Sequence, residues 1–556
     1  PGGGIYHRSA KDIFLSPEAW QWLGARSTSL DGEALVRLML AAPVDLLWMG
    51  GIGSYVKAST ETNEAVADHL NDGARVDATQ IRAKVVGEGA NLAFTQKARI
   101  EYALNGGRIN TDAIDNSAGV DLSDHEVNLK ILISSRANGG EARSGREERN
   151  LLLRELEDEV CAQVLDNNYH QSLCLSLERE RCRLDLAPFL EAADHLENAD
   201  LLDRVAEAFP SRKEMLARGD QGLTRPELAI LLAKGKLALK RALLEAPGVL
   251  DEEWAQALGA SYFPARVRAR FSSPLKEHLL GREIADAVIC NKVIDQAGIG
   301  FLAATESLDP ARVAEAVGLY LAFDQILQGD RWRDAVRALD GKMTPERQYE
   351  LLLQLEEALA FLCRWGWEHG RRLRPDPPSM ERWREELTRY QTYLKASPEF
   401  TVLSSAAPDA ARLLFLNRLR DFPVLVDLSR STQQNLGEVA EAYEDFLRAL
   451  GLRQLASLLS ELKPRDVWER RLQCSLDDEL RSAAARFVRV ELNSKFRDFS
   501  AFIQGHGLET RLAKIQGLRS ELIEGDPVTL VPFAALISEV HSFVDACAAA
   551  YGAAQR

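Results

Sequence analysis

Residues Val44–Gly53 read VDLLWMGGIG, and residues Lys84–Asn91 read KVVGEGAN. Each begins with a short apolar run, Val44–Trp48 in the first and Lys84–Val86 in the second. Glycines close both runs: Gly50, Gly51 and Gly53 after the first, Gly87 and Gly89 after the second. The polar stretch Ser59–Asn71 between them is compatible with a helix. Beyond the second run, Thr95–Leu104 predicts a helix capped by Thr95 and stopped by Gly106-Gly107. Buried strand, glycine turn and helix in repetition is the sequence form of a parallel α/β sheet. Only two or three strands are legible before residue 135, fewer than the roughly 4–6 of an ordinary sheet. The opening Pro1-Gly2-Gly3-Gly4 has no upstream strand or helix to account for it and reads as a cut inside a longer protein.

The rest of the chain has a different pattern. Ser134–Arg149 (SSRANGGEARSGREER) is hydrophilic and predicts an exposed loop. Beyond it, helical periodicity continues to the end: Leu152, Leu156, Val160 and Val164 recur every fourth residue as one stripe of a long amphipathic helix. Thr224-Arg225-Pro226-Glu227 has the spacing of a capping box, and the helix it starts runs toward Pro247-Gly248. The proline-rich Arg374–Ser379 marks a further boundary, and no fixed-period repeat points to a solenoid. The expected division is therefore 1–135 α/β and 136–556 all-α, the second part subdivided near 374–379.

A chain of 556 residues is too long for one hydrophobic core. A net charge of −15 argues against a phosphate backbone as partner, so no nucleic acid is expected. No uncharged run approaches the roughly 20 apolar residues of a membrane span, and no apolar h-region follows the N-terminus. The expectation is a soluble, cytoplasmic chain with no membrane partner. Seven cysteines without a CxxC pair suit free thiols in a reduced compartment, and no metal is assigned.

Three glycine-containing segments stand where ligands of open α/β sheets bind, outside the carboxyl ends of strands: Gly50–Gly53, Gly87–Asn91 and Asn116–Val120. Glycine there lets a flat or phosphorylated ligand approach the backbone. Any one of them alone reads better as a tight turn; the three together favour a binding crevice. The most polar segment is Asp115–Glu126 (DNSAGVDLSDHE). Asp121, Asp124, His125 and Glu126 could form a metal cluster or an acid/base group, but four adjacent ligand types on a short segment cannot all point one way. A solvated or capping role is the better reading for them. The Asn116 amide and the Ser123 hydroxyl donate to a carboxylate without bringing negative charge. For an anionic ligand, Asp121 and Asp124 would have to face away or be neutralised.

Three strings carry a resemblance: Val44–Ser59 (VDLLWMGGIGSYVKAS), Lys84–Asp112 (KVVGEGANLAFTQKARIEYALNGGRINTD) and Ile114–Leu132 (IDNSAGVDLSDHEVNLKIL). They resemble the corresponding segments of the large bacterial NAD-dependent glutamate dehydrogenases. Weaker echoes follow in Asp166–Glu180, Leu223–Ala233 and His278–Asn291. The smaller glutamate dehydrogenases have an EGAN element similar to Glu88–Asn91. Their NAGGV element, with a serine three residues beyond its valine, is similar to Asn116–Val120 plus Ser123.

The resemblance implies the C-terminal part of a Rossmann-like nucleotide-binding domain followed by a large helical domain. It implies NAD as cofactor, L-glutamate and 2-oxoglutarate as substrate and product, and a homo-oligomer. Residue by residue, it puts Asn91 and Asn116 beside the nicotinamide and the substrate's α-amino acid group. Ser123 falls on the distal carboxylate, with Val120 packed next to it. Gly50, Gly51, Gly53, Glu88 and Gly89 belong to the cofactor wall. The family's catalytic lysine and aspartate lie upstream and have no counterpart here, so no catalytic residue is assigned and the chain alone is expected to be inactive. Residues 136–556 are expected to pack on the nucleotide domain and to serve assembly or regulation. The alternatives are a non-catalytic helical module that binds no NAD, and a metal hydrolase using Asp121, Asp124 and His125.

Overall fold

In the computed structural model the two apolar runs pair as parallel strands. β1 (Leu46–Met49) aligns with a strand at Val85–Glu88 in the register Leu46↔Val85 to Met49↔Glu88. Between them in sequence, β2 (Val56–Lys57) and β3 (Val76–Asp77) form a second parallel pair, which makes the Val85–Glu88 strand β4. Single parallel bridges add Phe94 beside Val56 and Arg108 beside Val85. The structure describes residues 4–134, 144–271, 275, 277–305, 307–370, 377–397, 400–401, 408–462, 464, 467–496, 498–525, 527 and 529–554. It divides into two compact units, residues 1–318 and 319–556. The boundary expected at 135/136 falls inside the first unit, and the one expected near 374–379 falls inside the second, with helix on both sides; residues 374–376 lie outside the described residues.

In the first unit, side-chain alternation along β1 decides what it buries. Met49 and, in part, Leu47 join Val56, Val76, Val86, Phe94 and Tyr102 in one core. Leu46 and Trp48 point the other way and are 57% and 59% exposed. The expectation of a fully buried strand is thus met on one face only.

Helix α1 (Gln96–Leu104) starts as expected, with the Thr95 hydroxyl accepting from the Ala98 N–H at 3.1 Å. The Ser59–Asn71 stretch is less regular than expected, with a single helical turn at Asn63–Val66 and a 3₁₀ turn at His69–Asn71. Ala67 between them is left-handed (φ 60°). The Asp68 carboxylate accepts from Ser54 N and Asn71 Nδ2, local bonds of the kind that compete with a helix ladder.

The largest departure concerns Asn116–Val120. It is not a glycine loop after a strand. A short helix α2 (Asp112–Asp115) ends at Asn116, and α3 (Ser117–Ser134) begins at once, with Gly119 inside it. Asn116 keeps the turn going by donating its N–H to Asp112 O at 2.8 Å.

The expected loop Ser134–Arg149 is helical at both ends, since Ser134 closes α3 and Ser144 opens α4 (Ser144–Leu184). Residues 135–143 lie outside the described residues. The α4 stripe is buried as predicted: Leu152, Leu156, Val160 and Val164 pack on Leu129 and Leu132 of α3 and on Phe263, Val267 and Phe271. The capping box holds too, with Thr224 N–H donating to the Glu227 carboxylate at 2.7 Å and α5 (Arg225–Glu245) stopping before Pro247-Gly248. Helix α6 (Gly281–Ala297) completes the part of this unit that reaches the site.

The second unit is helical among its described residues, with long helices at Pro345–Glu368, Pro377–Ala396, Leu436–Leu450, Val467–Leu492 and Val531–Ala554. Its core is aromatic, including Trp383, Tyr390, Phe422, Tyr443, Phe446, Phe487 and Phe543. Val531–Ala554 is long and apolar enough to cross a membrane by length and composition alone. Phe533, Leu536, Ile537, Val540, Phe543, Val544 and Cys547 of that helix are buried inside the unit. All seven cysteines are free thiols.

Candidate functional site

A cavity of about 460 Å³ opens where the turn after β4 meets the start of α3. Asn91 comes from that turn, Asp112 and Ala113 from α2, Asn116 from the α2–α3 junction, and Ser117, Val120, Asp121 and Asp124 from α3. The other side is built by helices of the C-terminal portion, through Asn167 and Gln171 on α4 and Asn291 on α6. These helices, expected to carry no chemistry, supply part of the wall.

Asn91 and Asn116 are brought together. Asn116 Nδ2 donates to Asn91 Oδ1 at 2.5 Å. That bond leaves the Asn91 amide N–H and the Asn116 carbonyl oxygen to face a ligand. One donor beside one acceptor suits a carboxamide, or an ammonium group next to a carboxylate.

The turn that carries Asn91 is held from behind. Glu88 is fully buried and accepts from Arg99 Nε (2.7 Å), Arg99 Nη2 (3.0 Å) and Phe94 N–H (3.0 Å). Burial raises the Glu88 carboxyl above its ordinary range, against the pull of the Arg99 charge. Asp115 accepts from Glu88 N–H at 2.9 Å and Asn110 Nδ2 at 2.7 Å, and burial raises its carboxyl as well. Asp112 accepts from Leu92 N–H at 2.8 Å and meets Arg99 at 3.1 Å. Glu88 therefore faces the interior and does not line the cavity.

The glycines differ among themselves. Gly50 and Gly51 are exposed at the carboxyl end of β1, and a Cβ on Gly51 would meet nothing. Gly53 is required by its backbone: φ is +113°, and a Cβ would collide with the Asn71 amide at 2.2 Å. A Cβ on Gly87 or Gly89 would strike the Trp48 indole at 2.6 or 2.5 Å, so both glycines make room for that ring.

Val120 lines the cavity and is 65% exposed. Ser123 does not line it: its hydroxyl donates to the Val120 carbonyl at 2.8 Å on its own helix. Glu126 pairs with Lys130 on the outer face. Asp121 and Asp124 do line the cavity, and Asp121 accepts from Asn167 Nδ2 at 2.8 Å. His125, expected to be solvated, is only 1% exposed and stacks on the Tyr262 ring, the ring centroids 4.0 Å apart. Helical periodicity explains the correction, because position 125 falls on the side of α3 that packs on the body of the unit. Among the described residues no group of three or more His, Cys, Asp or Glu side chains is arranged to hold a metal ion.

No local pattern in the sequence singles out Asp112, Asn167, Gln171 or Asn291. The signal for Asn167, Gln171 and Asn291 is their place in the echo segments Asp166–Glu180 and His278–Asn291.

The asparagine pair fits the carboxamide of a nicotinamide, since it presents a donor and an acceptor. Gly50, Gly51, Gly53 and Gly89 are not among the residues that line the cavity.

Residues 1–178 match a family model described as "Bacterial NAD-glutamate dehydrogenase, catalytic domain". Residues 220–504 match one described as "Glutamate dehydrogenase, C-terminal". Among curated proteins, the NAD-specific glutamate dehydrogenase of Pseudomonas aeruginosa is 34% identical over 552 residues, covering 94% of this chain and 33% of that protein. That of Halomonas elongata is 33% identical over 505 residues, covering 86% of this chain and 30% of that protein. That of Mycobacterium tuberculosis is 34% identical over 514 residues, covering 87% of this chain and 31% of that protein. The chain thus spans about a third of the length of the curated relatives it matches. These matches do not favour a non-catalytic helical module.

Proposed function

Since the chain belongs to the bacterial NAD-glutamate dehydrogenases, we propose that it forms one wall of the crevice in which L-glutamate is oxidised to 2-oxoglutarate and ammonia. The observation that carries this reading is the Asn116–Asn91 hydrogen bond in the wall of a cavity also lined by Val120. On this reading β1 and β4 belong to a Rossmann-like nucleotide-binding domain, and the carboxyl ends of those strands, with Asn91 and Asn116, would hold NAD. The cofactor would supply the hydride acceptor for the substrate α-carbon.

The work of this chain is alignment. The Asn116 carbonyl accepts from the substrate's amino group, and the Asn91 N–H donates to a neighbouring acceptor. Val120 gives the apolar surface against which the substrate stem packs. Ser123 reaches the distal carboxylate by turning its hydroxyl from the Val120 carbonyl toward the ligand. The Gly50–Gly53 edge and the Gly89 turn give the cofactor backbone to lie on, while Glu88 holds that turn through Arg99. Alignment of this kind contributes several kcal/mol to a bimolecular reaction by fixing reactants in a productive geometry.

The acid/base lysine and aspartate come from the remainder of the polypeptide, so this chain alone is inactive. The helical part beyond residue 136 serves assembly or regulation of a cytoplasmic homo-oligomer, and its helices α4 and α6 close one side of the cavity.

The test compares glutamate-dependent NAD reduction by the full-length protein and by this chain. Activity in the first and none in the second is expected. In the full-length protein, Asn116→Ala should lower kcat/KM by roughly 100-fold, and Ser123→Ala should act mainly on the KM for glutamate. A folded full-length protein with no activity, or one indifferent to both substitutions, removes the reading.

A further inference from the structure

The charges around the cavity do not balance for the ligand proposed above. Its lining includes Asp112, Asp121 and Asp124, and no Lys, Arg or His. Arg99 compensates Asp112 at 3.1 Å. Among the described residues, the one basic group within ion-pair distance of Asp121 or Asp124 is His125, whose Nε2 lies 3.6 Å from Asp121 Oδ1. A dicarboxylate entering this space meets two carboxylates. Each such like-charge contact opposes binding, the more so the less water screens it.

His125 is built in an unusual way. Its ring is clamped flat against Tyr262, with the planes 6° apart. Among the described residues, neither ring nitrogen has a hydrogen-bond partner. Buried polar groups are nearly always paired, so an imidazole left open on both nitrogens calls for an explanation. The nearby His278 shows the ordinary solution, with Nδ1 accepting from Leu280 N–H and Nε2 donating to the Asn128 carbonyl, both at 3.1 Å.

We propose that His125 is a positioning residue that sets the charge of the cavity, taking up a proton from solvent when a carboxylate ligand enters and holding Asp121 as its counterion. This rests on the reading that the cavity takes a glutamate-like dicarboxylate. A new N–H bond forms on the imidazole, no other bond changes, and the ligand's negative charge is met by the proton. Protonation turns the 3.6 Å approach into an ion pair and draws Asp121 off the ligand.

The surroundings permit the step. Burial lowers the His125 pKa while Asp121 and Asp124 raise it, so a further anion shifts the balance toward the charged ring. The groups facing it are Asp121 and Asp124 on its own helix and Tyr262 from the turn stacked on it. Burial pushes the Tyr262 phenol up to about 12, and its oxygen accepts from Asn128 Nδ2, so it stays neutral throughout. On α4, packed alongside, Asn167 is an amide and Glu159 is paired with Arg266.

The test uses the full-length protein and glutarate, a dicarboxylate that cannot react. Titration calorimetry in two buffers of different ionisation enthalpy counts the protons taken up on binding. The wild type should take up close to one proton where His125 is neutral beforehand, and its glutarate Kd should tighten about tenfold as pH falls through that range. His125→Gln should lose the uptake and hold Kd at its weak, high-pH value. Asp121→Asn should also lose it but hold Kd at the tight value, a sign that loss of fold cannot imitate. Glutarate that binds with equal proton uptake in wild type and His125→Gln, or that does not bind, overturns the proposal. Proton-linked glutarate binding without glutamate-dependent NAD reduction would sustain the role of His125 and reject the assigned reaction.

Discussion

Arg99 grips Glu88 through two nitrogens, at 2.7 and 3.0 Å, with both side chains at least 95% buried. The pair ties α1 to the end of β4, and through the Phe94 and Asp112 contacts it fixes the turn that presents Asn91. Breaking such a pair from one side leaves a charge buried without compensation, at a cost of about 3–5 kcal/mol. Arg99→Ala should therefore lower the unfolding free energy of the first unit by that amount, read as a fall in its urea midpoint. Arg99→Met with Glu88→Gln should recover most of it. Equal losses in single and double variants would show that the charge is not the source.

Arg225 joins the α/β segment to the helices. Nε donates to Asn110 Oδ1 at 2.7 Å, Nη1 to Ser176 Oγ at 2.9 Å and Nη2 to Ser172 O at 3.1 Å. Arg225→Met keeps the stem and removes all three, and should cost about 2 kcal/mol. Hydrogen exchange should quicken from Asn110 to Asn116 more than in the remote β2–β3 pair. Uniform exchange across the unit would argue that Arg225 contributes to global stability alone.

Glu491, in the second unit, is 2% exposed, and its Oε2 has no hydrogen-bond partner among the described residues. Burial, reinforced by Asp445 and Asp498, pushes its carboxyl up to about 8. An acid whose pKa rises on folding favours the folded state most below its unfolded value, and that advantage is lost as pH climbs to the folded value. Stability of this unit should therefore fall between roughly pH 4.5 and pH 8 by an amount on the order of a few kcal/mol. Glu491→Gln should remove this fall, so denaturant midpoints of variant and parent diverge toward pH 8. Parallel midpoint curves would contradict it.

Gly298 follows α6 with φ +78°, and a Cβ there would meet Glu178 Oε1 at 2.1 Å. The buried Glu178 accepts from Ile299 N–H at 2.9 Å and from Arg181 Nη1 at 2.7 Å. Gly298→Ala combines a left-handed backbone with a collision, and should cost about 2–4 kcal/mol of stability. A thermal midpoint unchanged by the substitution would mean that the turn relaxes freely.

Local signals were the most legible part of the fold. Thr95, the Thr224–Glu227 capping box and the Leu152–Val164 stripe all behave as their spacing implies, because each acts within one turn or one face of a helix. Asn116–Val120 misled for a related reason: a glycine within a polar run has the composition of a loop, and only packing against α4 makes it helical. His125 was misjudged as solvated from its polar neighbours, although its helical phase put it inward. In the site, resemblance singles out Asn91 and Asn116, and their hydrogen bond to each other is seen only in the structure. Asn167, Gln171 and Asn291 were not assigned, because they reach the cavity from helices far along the chain, and no local pattern reports such a convergence.

Two sides of the cavity are therefore encoded far apart, one before residue 125 and the other at residues 167, 171 and 291. Excising the α/β segment at Ser134 as a minimal binding unit would keep the asparagine pair but leave it on an open ledge. Crosswise, on the proposed function a substitution at Asn291 should alter ligand binding although it lies outside the segment matched to the catalytic-domain family model. For engineering, the smallest piece worth expressing is the whole of the first unit.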